Sequence, residues 1–290
     1  MTTSVGGHVR HPALPHGEPI ELPGRGTTFM RSLPGPAGAS TLVLLHGWTA
    51  SADLNWFTCF RPLAKHFRVV ALDHRGHGRG IRSRKAFRLD DCADDAVALC
   101  DVLGIERFIP VGYSMGGPVA QLVWRRHRQR VQGLVLCATA PFFRTSRQEN
   151  MGFLGLSGLA ALARLTPVQA REWLTHQFYL QHKHEKWEPW AVQEAARHDW
   201  RMVLEAGRAI GRYDARPWMD EIDVPTSVLI TMGDNVVPLH RQVQLFEGIH
   251  QAEAFRVDGD HDAVIAQPDR FVPTLLRACH SVIERIEGAW

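Results

Sequence analysis

Short, unbroken apolar runs recur along the chain: Thr41–Leu45, Arg68–Leu72, Arg107–Val111, Gly133–Ala138, Thr226–Thr231 and Glu253–Val257. Turns and longer stretches of helical periodicity lie between several of them. Leu89, Cys92, Ala96, Leu99, Cys100 and Leu103 recur at three- and four-residue intervals and stop at Gly104, a helix C-cap. Phe271, Leu275, Cys279, Val282, Ile283 and Ile286 make a second such stripe near the end. Strands that are apolar throughout, rather than alternating, are covered on both faces. The pattern therefore predicts a mostly parallel sheet with helices on each side. The Pro- and Gly-rich beginning leads into one or two antiparallel edge strands over Ile20–Leu33. Pro110 falls inside a predicted strand, where it removes a ladder donor. Its position near the strand's C-terminal end would put it where pairing is ending.

One interval breaks the alternation. From Ala140 to Glu221 no strand-like run occurs, and Trp173, Trp187, Trp190, Trp200 and Trp218 all fall within it. An insertion of that size between two strands predicts a helical cap over one edge of the sheet. The chain then divides into a first core segment, 1–139, a cap, 140–221, and a second core segment, 222–290. The cap tryptophans are read as packing the cap's own interior. No internal repeat or low-complexity linker interrupts this scheme.

Composition adds exclusions. With 290 residues, 45% hydrophobic and 22% charged, the chain can build a sizeable core without disulfide or metal staples. A formal net charge of +3 is too small and too dispersed for a nucleic-acid partner. Among the basic residues only Lys65, Lys85, Lys183 and Lys186 are lysines. Cys59, Cys92, Cys100, Cys137 and Cys279 are odd in number and show no zinc or redox spacing, so they read as reduced core residues in a cytoplasmic protein. No stretch has signal-peptide character or the length to span a bilayer: Met151–Ala163, the least polar, is short and broken by glycines. The sequence carries no signal for an oligomeric state.

The sharpest chemical signal is Gly112-Tyr113-Ser114-Met115-Gly116-Gly117, which follows a strand and precedes a helical pattern. A serine on a tight strand-to-helix turn adopts a strained backbone, and small residues two positions before and after it avoid collision with neighbouring chain. The helix start at Met115 places positive dipole beside Ser114, and Pro118 suits a first helical turn. A nucleophilic serine needs a base and an acid to orient that base. Asp234 follows the strand Thr226–Thr231, and His261 follows Glu253–Val257, each on a loop at a strand's C-terminal end. Ligands bind at that edge in open α/β sheets. A further turn, His46-Gly47-Trp48, follows Thr41–Leu45 and would aim the Trp48 N–H at a substrate carbonyl. With the Met115 N–H it would make a two-donor oxyanion hole.

Other clusters have plainer readings. His182-Lys183-His184, with His176, lacks a carboxylate or cysteine to complete a metal set. Arg125-Arg126-His127-Arg128 satisfies the C-terminal end of the helix after Ser114. His74 and His77 belong to a supporting loop.

Taken with the loop Asp73-His74-Arg75-Gly76-His77-Gly78, these motifs make the chain resemble the α/β-hydrolase superfamily. The likeness is to its single-cap branch of esterases, lactonases, carbon–carbon bond hydrolases and cofactor-free haloperoxidases. The resemblance implies an eight-stranded sheet, Ser114 as nucleophile, His261 as base, Asp234 as acid and backbone donors at Trp48 and Met115. His46, Gly47, Gly112 and Gly116 shape the turns. Epoxide hydrolases and haloalkane dehalogenases of this superfamily carry aspartate where Ser114 stands. Two departures occur. Arg79-Gly80-Ile81 follows Gly78 where a serine is usual, and Gly233 directly precedes Asp234, so the acid is open to displacement by one residue.

The sequence thus predicts a hydrolase without metal or cofactor, cleaving an ester-type bond of a small, partly apolar molecule. Carbon–carbon cleavage, lactone hydrolysis and haloperoxidase or perhydrolase chemistry use the same residues. A ligand-binding relative without catalysis is the alternative from another class.

Overall fold

The computed structural model describes residues 12–143 and 188–288. Outside them lie His176, His182, His184, Trp173, Trp187 and the Met151–Ala163 stretch. The sheet has eight strands: β1 (Gly17–Leu22), β2 (Gly26–Leu33), β3 (Thr41–Leu45), β4 (Arg68–Leu72), β5 (Ile109–Tyr113), β6 (Leu134–Cys137), β7 (Thr226–Thr231) and β8 (Ala252–Val257). Their spatial order is β1-β2-β4-β3-β5-β6-β7-β8. The β1–β2 and β2–β4 pairs are antiparallel and all others parallel.

Both faces are buried in the central strands β3 to β7, as their unbroken apolar runs require, whereas the edge strands β1 and β8 are largely exposed. Val43, Leu45, Val70 and Leu72 face one core and Leu42, Leu44, Val69 and Ala71 the other. Alternate residues of a strand point to opposite faces, so each run supplies two cores at once. The first core is shared by α3 (Leu89–Val102) and α4 (Gly116–Arg126). α1 (Ala52–Trp56) and α2 (Phe60–Ala64) lie against the second. Among the described residues two helices between β6 and β7, α5 (Glu188–Ala195) and α6 (Trp200–Ile210), precede α7 (Leu239–Gly248), α8 (Ala263–Ala266) and α9 (Pro268–Glu287). α3 ends where its stripe does: Gly104 has φ +63° and the Ile105 N–H returns to the Cys100 carbonyl at 2.8 Å.

β5 corrects the sequence reading. It begins two residues later than the apolar run and continues through Gly112 and Tyr113 to deliver Ser114, whereas Phe108 makes only an isolated bridge to Val131. Pro110 is therefore the second residue of the strand, not one near its end. The Phe108 N–H meets the Arg130 carbonyl and the Ser114 N–H the Cys137 carbonyl, so residues of this parity face β6. The β6 ladder starts at Val111, and the donor that proline lacks falls just before it.

α6 buries Met202, Val203, Ala206 and Ile210, and the Asp199 side chain caps it by accepting the Met202 N–H. It lies against loops at the C-terminal ends of β3 and β4. The Trp48 indole donates to the Val203 carbonyl at 2.7 Å, and the Asp199 N–H to the Gly76 carbonyl at 2.8 Å. The tryptophans of this region pack on core elements as well. Trp218 stacks on Trp124 of α4 with ring centroids 6.2 Å apart, and Trp190 meets Phe57 edge-on. Of the five tryptophans expected to pack a cap interior, Trp173 and Trp187 lie outside the described residues, and Trp190 and Trp218 make these ring contacts with Phe57 and Trp124. All five cysteines are free and buried. No described helix is long and apolar enough to cross a membrane.

Candidate active site

β3 and β5 are neighbours although β4 lies between them in sequence, so the chain's direction of travel across the sheet reverses there. The crevice above such a reversal is where α/β sheets bind ligands. His46 follows β3 and Ser114 follows β5. Ser114 has φ +52°, a left-handed conformation that an L-residue holds only when its surroundings enforce it. They do. The Ser114 N–H donates to the Cys137 carbonyl at 2.9 Å, and the Ser114 carbonyl accepts from the Thr139 hydroxyl at 2.8 Å and the Gly117 N–H at 2.9 Å. The glycines are sterically required. A Cβ on Gly112 would stand 2.2 Å from the Gly116 carbonyl oxygen, and one on Gly116 would stand 2.0 Å from that of Leu45. Gly117 is equally constrained, 2.2 Å from the Thr139 hydroxyl.

Three loops bring Ser114, His261 and Asp234 into one line. The Ser114 Oγ lies 3.0 Å from His261 Nε2, and His261 Nδ1 lies 2.8 Å from Asp234 Oδ2. Ser114 and His261 are partly exposed, while the Asp234 side chain is fully buried. That carboxylate is satisfied at both oxygens. Oδ1 accepts the Val236 and Val237 N–H groups at 2.9 and 2.7 Å. Oδ2 accepts from the Thr231 hydroxyl at 2.7 Å and the Gln242 amide at 3.2 Å besides His261. A buried charge is tolerable when hydrogen-bonded in this way. The glycine directly before Asp234 does not displace it from His261.

The turn after β3 sits against the serine: a Cβ on Gly47 would come 3.4 Å from Ser114 Cβ. Gly47 donates its N–H to Asn55 Oδ1 at 2.8 Å, and the next residues are Trp48, half-buried, and Thr49 with φ +58°. His46 fixes this turn from below. Its Nε2 accepts the His74 N–H at 2.8 Å, so the proton resides on Nδ1, which donates to the Gly47 carbonyl at 2.7 Å. Met115 stands at the N-cap of α4, so its N–H belongs to the helix's positive end.

His46, His74 and His77 converge with His198, which joins them from the α5–α6 turn; ring centroids are 4.4 Å apart for His46–His74 and 5.6 Å for His77–His198. Burial is the largest cause of the lowered pKa at each, aided by the neighbouring rings at His46, His74 and His77. His74 is brought to about 3 and His198 to about 4, with His46 and His77 lowered well below the usual value. All four are neutral rings, and those of His46 and His198 tie loops together. His198 Nδ1 accepts the Gly78 N–H at 2.7 Å and its Nε2 donates to the Thr49 carbonyl at 3.0 Å. Asp73 ties the same loop to α1, accepting the Ala52 and Arg79 N–H groups at 2.8 Å each. Among the described residues no group of His, Cys, Asp or Glu is arranged to hold a metal ion.

Sequence reasoning missed several supporting residues. The Tyr113 hydroxyl donates to the His261 carbonyl, and Thr231 and Gln242 bracket Asp234. Asn55 and His198 hold the turns at Gly47 and Gly78. Each is an ordinary helix, strand or turn residue until the fold brings it to the site.

A profile of the alpha/beta hydrolase fold family matches residues 40–268, and the chain belongs to that family. RutD of Agrobacterium fabrum (strain C58), provisionally named a carbamate hydrolase, is 28% identical over 249 residues, covering 83% of this chain and 93% of its own. The bifunctional esterase/perhydrolase DCH of Acinetobacter calcoaceticus is 36% identical over 118 residues, 40% of this chain and 42% of its own. The enol-lactonase of Burkholderia xenovorans LB400 shares the fold, with a TM-score of 0.75 at 22% identity over 91% of this chain and 100% of its own.

Proposed function

We propose that the protein is a serine hydrolase cleaving a carboxylic ester-type bond of a small, partly apolar substrate through an acyl-enzyme. The observation that carries this reading is the hydrogen-bonded line from Ser114 Oγ through His261 to Asp234, at 3.0 and 2.8 Å. His261 Nε2 takes the Ser114 proton as Oγ bonds to the substrate carbonyl carbon. The oxyanion so formed is held by the Trp48 and Met115 N–H groups, each such donor being worth about 3 kcal/mol in the transition state. The tetrahedral intermediate expels the alcohol, which leaves with the proton from His261. Water then attacks the acyl-enzyme with His261 again as base, releasing the carboxylate and regenerating Ser114. Asp234 keeps the His261 proton on Nδ1 and stabilises the charged ring. Residues 140–221 are read as a cap over this edge, and the five buried thiols suit a reducing cytoplasm.

The names carried by the relatives bear on the substrate class, since they include an esterase/perhydrolase and a carbamate hydrolase. The test is hydrolysis of p-nitrophenyl esters of graded acyl length, with lactones, carbamates and vinylogous diketones alongside. Turnover of the esters, lost in Ser114→Ala, supports the assignment. Turnover of diketones or carbamates with none of the esters would replace it.

A further inference from the structure

An open cleft of about 570 Å³ lies between the segment entering α3, the middle of α4, and α6 with the turn beyond it. Ser114, His261, Asp234, Trp48 and Met115 are not among its lining residues. Its floor is apolar and aromatic, with Phe87, Leu89, Leu122, Ala209, Tyr213 and Trp218. The volume falls within the range of small-molecule sites.

The charges around it do not cancel. The lining carboxylates are engaged with arginines that do not belong to the remaining set: Glu205 with Arg201 at 2.9 Å, Asp214 with Arg216 at 2.6 Å, and Asp90 with Arg88 at 3.3 Å and Arg126 at 3.5 Å. Arg125, Arg208 and Arg212 also line the cleft and have no carboxylate partner among the described residues. The Arg125 guanidinium lies 4.5 Å over the Trp218 ring, whereas its neighbours Arg126 and Arg128 are paired with Asp94 and Glu221. Arg125 stands in the last turn of α4, as its position in the sequence predicts, and faces the cleft without a carboxylate partner among the described residues. A second observation points the same way: the Tyr213 hydroxyl is buried and has no hydrogen-bond partner among the described residues. Buried hydroxyls normally find one.

We propose that this cleft is a second binding site, for a small carboxylate carried on a flat apolar body. The carboxylate meets the guanidinium forks of Arg208 and Arg212, whose planar donors match it bidentately. The apolar body lies against Phe87, Leu122 and Ala209, and the Tyr213 hydroxyl donates to the carboxylate. The site is independent of the chemistry at Ser114.

The test is calorimetric titration of the full chain with 2-naphthoate, and with 2-naphthalenemethanol as its neutral counterpart. One saturable naphthoate site is expected, weakened about tenfold or more by Arg208→Ala/Arg212→Ala, the loss of at least one charge-assisted hydrogen bond. Arg212→Glu, a surface change that leaves the core untouched, is expected to weaken it further. The alcohol is expected to show no saturable binding. Absence of a naphthoate site in the wild type, equal affinity in both arginine variants, or equal affinity for the alcohol would overturn the proposal.

Discussion

The Tyr113 hydroxyl donates a hydrogen bond to the main-chain carbonyl of His261, so the residue before Ser114 also anchors the loop that carries the proposed base. Its ring is wedged edge-on against Trp56 and Phe271. Burial, with the nearby Asp234 charge, raises its pKa well above the usual value, so the hydroxyl remains a donor at all working pH. Tyr113→Phe preserves the packing and removes the tether. We expect kcat to fall about tenfold, equivalent to roughly 1.4 kcal/mol of transition-state stabilisation, with KM little changed. Steady-state kinetics on the best ester would reveal it, and an unchanged kcat would mean the loop is held without this bond.

Asp234→Asn retains the shape of the acid and reverses what it offers His261. The amide would present either a neutral oxygen or an N–H to Nδ1, favouring the tautomer with its proton on Nε2, where it cannot accept from Ser114. By analogy with the same change in other Ser-His-Asp sites, kcat should drop by about 10⁴. Circular dichroism should show an intact fold. Gln242→Leu, which removes a donor to Asp234 and the Val237 carbonyl's partner, should cost less, about tenfold.

Gly116→Ala tests the elbow's steric logic. The added methyl would lie 2.0 Å from the Leu45 carbonyl oxygen, a clash of Cβ with backbone that no rotamer relieves. Destabilisation of about 3 kcal/mol or more is expected in urea unfolding, with loss of activity in whatever remains folded. A fully stable, active variant would show that β3 can retreat from α4.

The histidine cluster gives the protein a pH dependence whose sign is fixed. Folded, His74 titrates at about 3 and His198 at about 4, and His46 and His77 are also depressed. Unfolded, all return to about 6.5. As pH falls from 6.5 toward 4, the unfolded chain binds protons that the folded chain refuses. Each histidine then removes about 1.4 kcal/mol of stability per pH unit. Asp73 opposes them: burial raises it to about 6, so the folded state takes up one proton over part of the same window. Three histidines' worth remains. Urea midpoints should therefore fall steeply between pH 6.5 and 4.5, and a flat or rising trend would contradict the assignment of neutral buried rings.

Much of this was legible in the sequence, for a physical reason. Unbroken apolar runs such as Thr41–Leu45 and Thr226–Thr231 end where their strands end, and the glycines around Ser114 mark a backbone that admits no side chain. The β5 boundary was misplaced because Phe108 is as buried as its neighbours but only bridges, while Gly112 belongs to the strand despite its poor propensity. The convergence of His198 on His46, and of Gln242 on Asp234, depends on loops meeting in space. No local period records such meetings. The pairing state of Arg125 is invisible for the same reason, since it is set by which carboxylates the fold brings to Arg126 and Arg128.

Ser114 is proposed as an activated nucleophile. Incubation with a fluorophosphonate probe followed by intact-protein and peptide mass spectrometry tests it most directly. One label per chain is expected, located at Ser114 and absent in Ser114→Ala. A folded wild-type protein that takes up no label, or takes it elsewhere, would contradict it.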